Sequence, residues 1–325
     1  PYLLSYFLQT LYGMADLFII GQFNSVDSTT AVSIGSQVMH MLTVMIVGLA
    51  MGTTVMTGRA VGAQDRRQVN LAVGNTASLF MLLSVALTAI LLCFVKPIVA
   101  VMSTPEEAVS STISYLTICF LGIPFITAYN IISSIFRGMG DSRRPTVFLM
   151  AACGVNIVLD IVCVVVLKRG GAGAAIATVF SQVVSAGMVT VALLRQPEET
   201  RLSLKKIRFQ GGLLKRILYV GVPAGLQFVT FDLANLLIQS GINSFGDVAV
   251  AAWTAYVKTD SLTWMISGAF GVSVTTFVGQ NFGAQKYDRI RQSVWVCMGM
   301  SVVLTGAMSA LVITFRPFIL GIYTT

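Results

Sequence analysis

The sequence predicts an all-α polytopic membrane protein, and three observations carry that prediction. Of its 325 residues, 55% are hydrophobic and only 10% charged, where a soluble domain carries about 25% charge. Mean hydropathy is +0.82. The apolar residues form continuous runs rather than alternating ones, which favours helices over a barrel. The third observation is the placing of charge. Four carboxylates, Asp16, Asp160, Asp232 and Asp260, sit inside apolar stretches. At such depth a charge costs several kcal/mol and marks an ion or substrate path.

Nine hydrophobic segments follow one another, at approximately 2–23, 31–60, 70–95, 109–136, 146–167, 172–194, 213–242, 248–280 and 292–315. Each is long enough to cross ~30 Å of hydrocarbon as a helix. The first starts at once after Pro1, with no signal peptide ahead of it, which suggests a chain missing its N-terminal tail. The loops after spans 2, 4, 6 and 8, with their flanks, hold sixteen of the 21 basic residues. Arg59, Arg66 and Arg67 follow span 2; Arg137, Arg143 and Arg144 follow span 4; Lys286, Arg289 and Arg291 follow span 8. The remaining seven lie in 195–216, between spans 6 and 7. The opposite side has only Lys96, Lys168, Arg169 and Arg316, and Lys258 alone lies within a span. The basic side is expected to be cytoplasmic, with the N-terminus inside. The net charge of +8 therefore reports topology and not a nucleic-acid partner, since no basic stripe interleaves with stacking aromatics. Arg137, Asp141, Arg143 and Arg144, beside Gly138 and Gly140, read as fixing a loop. The FQGGLLKRI end of the long loop reads as solvated chain or a short interfacial helix.

Polar stripes interrupt several spans. Gln9, Tyr12 and Asp16 fall at i, i+3, i+7 of span 1. Asn156 and Asp160 share a face of span 5 at i, i+4, and Thr178 and Gln182 do the same in span 6, beside Ser181. Span 7 carries Asp232, Asn235 and Gln239; span 8 carries Trp253, Tyr256, Asp260 and Trp264 on one face. An acid flanked by aromatics suits a lipophilic cation. Lys258 points away from Asp260 on its own helix, which favours a cross-helix pair with Asp232. His40, among methionines in span 2, is expected to be a hydrogen-bonded packing residue. The five cysteines, all in apolar runs, read as small buried hydrophobes. No HExxH or phosphate-binding loop occurs, and no nucleophile–base or metal constellation suggests an enzyme.

The chain repeats itself. Gly58–Gln64 (GRAVGAQ) recurs 221 residues later as Gly279–Gln285 (GQNFGAQ), Lys96-Pro97 recurs as Arg316-Pro317, and Pro1 is matched by Pro223. The constant spacing is the evidence. Six spans separate the copies, so both have the same membrane orientation, a layout found in alternating-access transporters. The domains expected are residues 1–195, an N-terminal six-helix transmembrane lobe; 196–212, a cytoplasmic linker; and 213–325, the first three helices of a C-terminal transmembrane lobe. Three further spans would complete a second copy.

Several stretches, LYGMADLFIIGQF, GRAVGAQDRR, STPEE, IFRGMGDSRRPT, NIVLDIV, GAAIATVFSQ and FVGQNFGAQKYDR, resemble the multidrug and toxic compound extrusion (MATE) family over essentially the whole chain. The resemblance implies two six-helix lobes related by a parallel pseudo-twofold repeat, the second incomplete here. It implies antiport of small organic, often cationic, compounds against Na⁺ or H⁺ in the inner (plasma) membrane, as a monomer when full length and with no cofactor beyond the coupling ion. It also implies a cation site at Asp16, Asn156, Asp160 and Thr178, with Asn130 a looser match, and a helix 1 that bends near Pro1. Gln9, Tyr12, Gln182, Asp232, Asn235, Gln239, Tyr256, Asp260 and Trp264 are then candidates for the substrate cavity, which the 15 methionines would help to line if they do more than fill the core.

The physics of the site stands beside this. Two carboxylates in one low-dielectric pocket cannot both stay bare, so either a cation neutralises them or one carries a proton. Na⁺ is a hard cation that favours oxygen ligands, and the Asn and Thr oxygens tilt the balance toward it. A flippase of lipid-linked sugars or related lipids is the rival with a similar fold. It needs a cationic cavity, whereas the spans hold four acids and one lysine. An ion channel would need a filter loop, and none is found.

Overall fold

A computed structural model gives the architecture and describes residues 2–23, 26–102, 104–197 and 210–316. Among these no strand occurs. The helices are α1 (Tyr2–Phe23), α2 (Val26–Gly62), α3 (Arg66–Val101), α4 (Glu106–Leu121), α5 (Ile123–Gly138), α6 (Arg143–Asp160), α7 (Gly170–Leu194), α8 (Gly211–Asn243), α9 (Asp247–Gly283) and α10 (Tyr287–Thr314). A π-helical segment, Ile161–Val166, continues α6 directly after Asp160. Seven of these rods are long and apolar enough to cross a membrane, and α4 with α5 makes an eighth as one bent span. The 22-residue α1 is the ninth rod and falls outside that set.

The rods follow the nine expected segments in order, with three differences. The segment 109–136 is two helices bent by 46°. Pro124, at the head of α5, cannot donate to the preceding turn. Several helices run past their apolar cores; the segments expected at 31–60 and 70–95 extend to 26–62 and 66–101. Polar ends can stay helical because caps replace the missing partners: the Asp65 carboxylate accepts the Gln68 N–H at 3.0 Å. The FQGGLLKRI stretch is not a separate interfacial helix from Gly211 onward, because that residue already opens the 33-residue α8; 201–209 lie outside the described residues, as do Pro1 and Pro317. The cysteines divide. Cys119, Cys153 and Cys163 are buried, but Cys93 is exposed and Cys297 half-buried, since an outer face meant for lipid is as apolar as the core.

Two apolar clusters bind α1–α7 together. One gathers Ile20, Val32, Leu116, Phe120 and Ala175; the other gathers Val73, Ile135, Phe136, Val189 and Leu193. The long α2 is the hub. It packs on α3, α4, α5 and α7, and also on α8 and α9.

The contact of α2 with α8 and α9 is made of glycines. A methyl group on Gly52 would overlap the Ile217 carbonyl, one on Gly221 the Leu49 carbonyl, and one on Gly48 the Gly225 backbone. Toward the basic end, a methyl on Gly62 would overlap the Gln280 carbonyl and one on Gly283 the Arg59 carbonyl. Each participating stretch has glycines four apart: Gly48/Gly52, Gly58/Gly62, Gly221/Gly225 and Gly279/Gly283. That spacing puts both glycines on one face and lets two membrane helices touch backbone to backbone. Gln280 adds an amide hydrogen bond to the Gly138 carbonyl at 3.0 Å, and the Arg59 guanidinium lies 4.4 Å from the Phe282 ring centre.

The repeat read from GRAVGAQ and GQNFGAQ is also a repeat of backbone geometry. The Asp65 N–H donates to the Ala60 carbonyl at 3.1 Å and the Lys286 N–H to the Asn281 carbonyl at 2.9 Å. Gln64 and Gln285 are both left-handed, at φ 54° and 57°. Both helices thus end in the same reversed turn. The two copies also meet in space, at Gly62 and Gly283.

Candidate cation site

Three helices bring four polar side chains together inside the α1–α7 bundle. Asp16 comes from the middle of α1 and is 6% exposed; Asn156 and Asp160, one turn apart on α6, are fully buried. Thr178 comes from α7. The Asn156 amide is assigned with its nitrogen facing the carboxylates. It then donates to Asp16 Oδ1 at 2.9 Å and to Asp160 Oδ2 at 3.2 Å. The Thr178 hydroxyl donates to Asp16 Oδ2 at 3.4 Å. The one amide thus holds the two carboxyls side by side. Such an approach, away from water, requires a proton or a cation between them.

One atom is left over. Asp160 Oδ1 is buried without a hydrogen-bond partner, and a buried acceptor left unmet costs about 1–3 kcal/mol, more if charged. The carboxylate oxygens and the Thr178 hydroxyl are the ligand type a small hard cation takes, while the Asn156 amide, nitrogen inward, serves as the bridging donor. Carboxylate, amide and hydroxyl groups, without thiolate or imidazole, are not the donors a soft transition metal selects. The π segment begins at the next residue, Ile161, the kind of local widening that recurs at functional positions in helices.

The other candidates are distributed differently. Asn130 is buried, and its amide nitrogen donates to the Ile126 carbonyl of its own helix at 2.8 Å. Gln182 is half-buried one turn from Thr178. Gln9 and Tyr12 lie on α1, on the helical face of Asp16, and their side chains are outside the described residues.

On α8 and α9 the acids stand apart from this group. Asp232 Oδ2 lies 3.8 Å from His40 Nδ1, with the His40 side chain 70% exposed and that of Asp232 25%. His40 is therefore not a buried packing residue. The described neighbour of Asp232 is this histidine, across the α2–α8 contact; the Lys258 side chain lies outside the described residues. Asn235 is exposed and Gln239 half-buried on α8, and Asp260 is half-buried on α9. Tyr256 lies against Trp253, ring centres 5.1 Å apart. Trp264 reaches across to Phe231 of α8, at 4.7 Å. Sequence reading missed Phe231, which stands next to Asp232 and could have been found only by knowing which helix α9 faces.

A bundle of long apolar helices around a buried oxygen-rich cluster defines a polytopic membrane transporter rather than an enzyme. The MatE family model matches residues 1–162 and 223–325, and the chain belongs to that family. It is 28% identical to the probable multidrug resistance protein YoeA of Bacillus subtilis, a match covering all of this chain and 72% of that protein. It is 24% identical to the multidrug export protein MepA of Staphylococcus aureus, again over all of this chain and 72% of the relative. A FAD transporter of Shewanella oneidensis is 23% identical, over 90% of this chain and 65% of that one. Among solved structures, a MATE protein in the bent conformation superposes with a TM-score of 0.93 at 25% identity, covering the whole chain and 72% of its own length. A MOP-superfamily transporter from Pyrococcus furiosus superposes at 0.91 and 26% identity, with coverage of 100% and 72%.

Proposed function

We propose that the protein is a cation-coupled antiporter that exports small organic, often cationic, compounds by alternating access. The observation that carries this is the buried Asp16–Asn156–Asp160–Thr178 cluster with one carboxylate oxygen unmet. Relatives described as multidrug resistance and multidrug export proteins support the drug-export part. The coupling ion is Na⁺ or H⁺, and the oxygen-rich donor set favours Na⁺.

The cycle follows from the geometry. Bridging donors hold Asp16 of α1 against Asp160 of α6 while a proton or cation offsets their charge. When the ion leaves, the carboxylates repel, α1 shifts against α6 and α7, and the compound site between the two lobes is reshaped. Coupling arises because ion and compound prefer different states. The glycine seam joins α2 to α8 and α9 toward the basic side, with His40 and Asp232 beyond it toward the other side. By the distribution of Lys and Arg, the basic side is cytoplasmic, the N-terminus is inside and the membrane is the cell's inner or plasma membrane. The division into a lobe of residues 1–195, a linker of 196–212 and a second lobe from 213 belongs to the same reading, as does action by a single copy.

Vesicles carrying the protein test this through ethidium efflux under separately imposed Na⁺ and H⁺ gradients. Efflux driven by one gradient and lost in Asp160→Asn is the expected result. Full gradient-driven efflux by Asp160→Asn overturns the cycle.

A further inference from the structure

We propose that the groove between α6 and α7, at their arginine-bearing ends, binds an anionic phospholipid from the surrounding leaflet. Its phosphate sits between Arg144 and Arg195, and one acyl chain lies along α7.

The groove has a volume of about 700 Å³ and is lined by Arg144, Phe148, Val184, Gly187, Val191 and Arg195, a size in the range of small-ligand sites, ~300–1,000 Å³. Its polarity is divided along its length. Arg144 stands in the first turn of α6, and Arg195 caps the last turn of α7. The helices run in opposite directions, so both guanidinium groups stand at the same membrane surface. Beyond them the wall is apolar. Val184, Gly187 and Val191 recur at helical spacing on one face of α7. Gly187 makes the depth: a Cβ built there meets nothing within 4 Å, unlike the seam glycines, so close helix packing does not account for it.

The groove faces outward. The elements α6 packs on are α1, α5 and α7, and those α7 packs on are α1, α2, α4, α5 and α6, which leaves this flank away from α8–α10. Large apolar side chains exposed on the adjoining helix faces, Val147 (57%) and Leu194 (43%), suit contact with acyl chains. Arg144 is held in place: its Nε lies 3.2 Å from Asp141 Oδ2, and the Asp141 carboxylate also accepts the Arg143 and Arg144 N–H groups. The guanidinium keeps further N–H donors for a phosphate. An apolar trough ending in two arginines at the headgroup level is complementary to an amphiphile with an anionic head.

Native mass spectrometry of the protein in detergent tests this, with phosphatidylglycerol, phosphatidylcholine and inorganic phosphate as probes. The expected result is at least tenfold greater retention of phosphatidylglycerol than of phosphatidylcholine, with millimolar phosphate unable to displace it. Gly187→Trp, which fills the trough, and Arg195→Gln, which removes an exposed head-group contact, should each abolish that preference. Arg195→Gln keeps the test decisive if the tryptophan variant does not fold. Equal retention of both lipids, displacement by phosphate alone, no retention by the parent protein, or parent-level retention by either folded variant overturns the proposal.

Discussion

Asp160 and Asp232 look alike in sequence and live differently in the structure. Each is a lone acid in an apolar helix, and each shares its face with an asparagine, Asn156 or Asn235. Asp160 is fully buried and shares one amide with an acid from another helix. Asp232 also has a buried oxygen without a hydrogen-bond partner, but its side chain is a quarter exposed and its neighbour is a histidine largely open to its surroundings, at 3.8 Å. Spacing along a helix marks a polar face. What makes a site of that face is the number of other helices that turn polar groups toward it, two in one case and one in the other.

Variants can break or sharpen this contrast. Removing the Asp160 charge has the largest expected effect, a fall of gradient-driven efflux to background, because the coupling ion loses one of its two carboxylates. The parallel change Asp232→Asn should leave coupling to the ion gradient intact; equal losses in both variants would erase the distinction. Asn156→Ala removes two hydrogen bonds to carboxylate oxygens, each of ~1.5–3 kcal/mol, so ²²Na⁺ binding should weaken by about a hundredfold or more. Unchanged binding would mean that the bridge does not shape the site. Thr178→Val deletes a single long bond of about 1 kcal/mol, and transport should fall about fivefold while expression and melting stay unchanged. His40→Ala is smallest. A partly exposed pair contributes ~0–1 kcal/mol, and the initial efflux rate should change by less than about fivefold. A tenfold loss there would raise the α2–α8 pair to the rank of the buried cluster.

The fold class and order of helices were legible because hydrocarbon demands long apolar runs, and loop charge gives each run a direction. The pairing of Asn156 with Asp160 was legible because helical geometry fixes it. The turn of the Asn130 amide nitrogen back onto its own helix was not. The residue type suits the site equally well, but the rotation of α5 about its axis is set by how Ile131, Ile135 and Phe136 pack, which no single-helix pattern encodes. The glycines of the seam were visible, two pairs of them as a repeat, but their partners were not. A gap of four says that one face is smooth and not which other face will meet it. His40 shows the same limit: its apolar flanks suggested burial, and the outward-facing side of α2 at that level decided otherwise.

The seam has a consequence for how the chain is made. Gly221 follows Gly52 by 169 positions. At about 5–20 residues per second of synthesis, the small-residue face of α2 therefore spends on the order of ten to thirty seconds in the bilayer before its own partner is translated. During that interval it offers an open docking strip to any other helix with glycines four apart. Biogenesis of this protein is thus exposed to mispairing early and protected late, and insertion factors that shield a nascent helix should matter most between the emergence of α2 and that of α8.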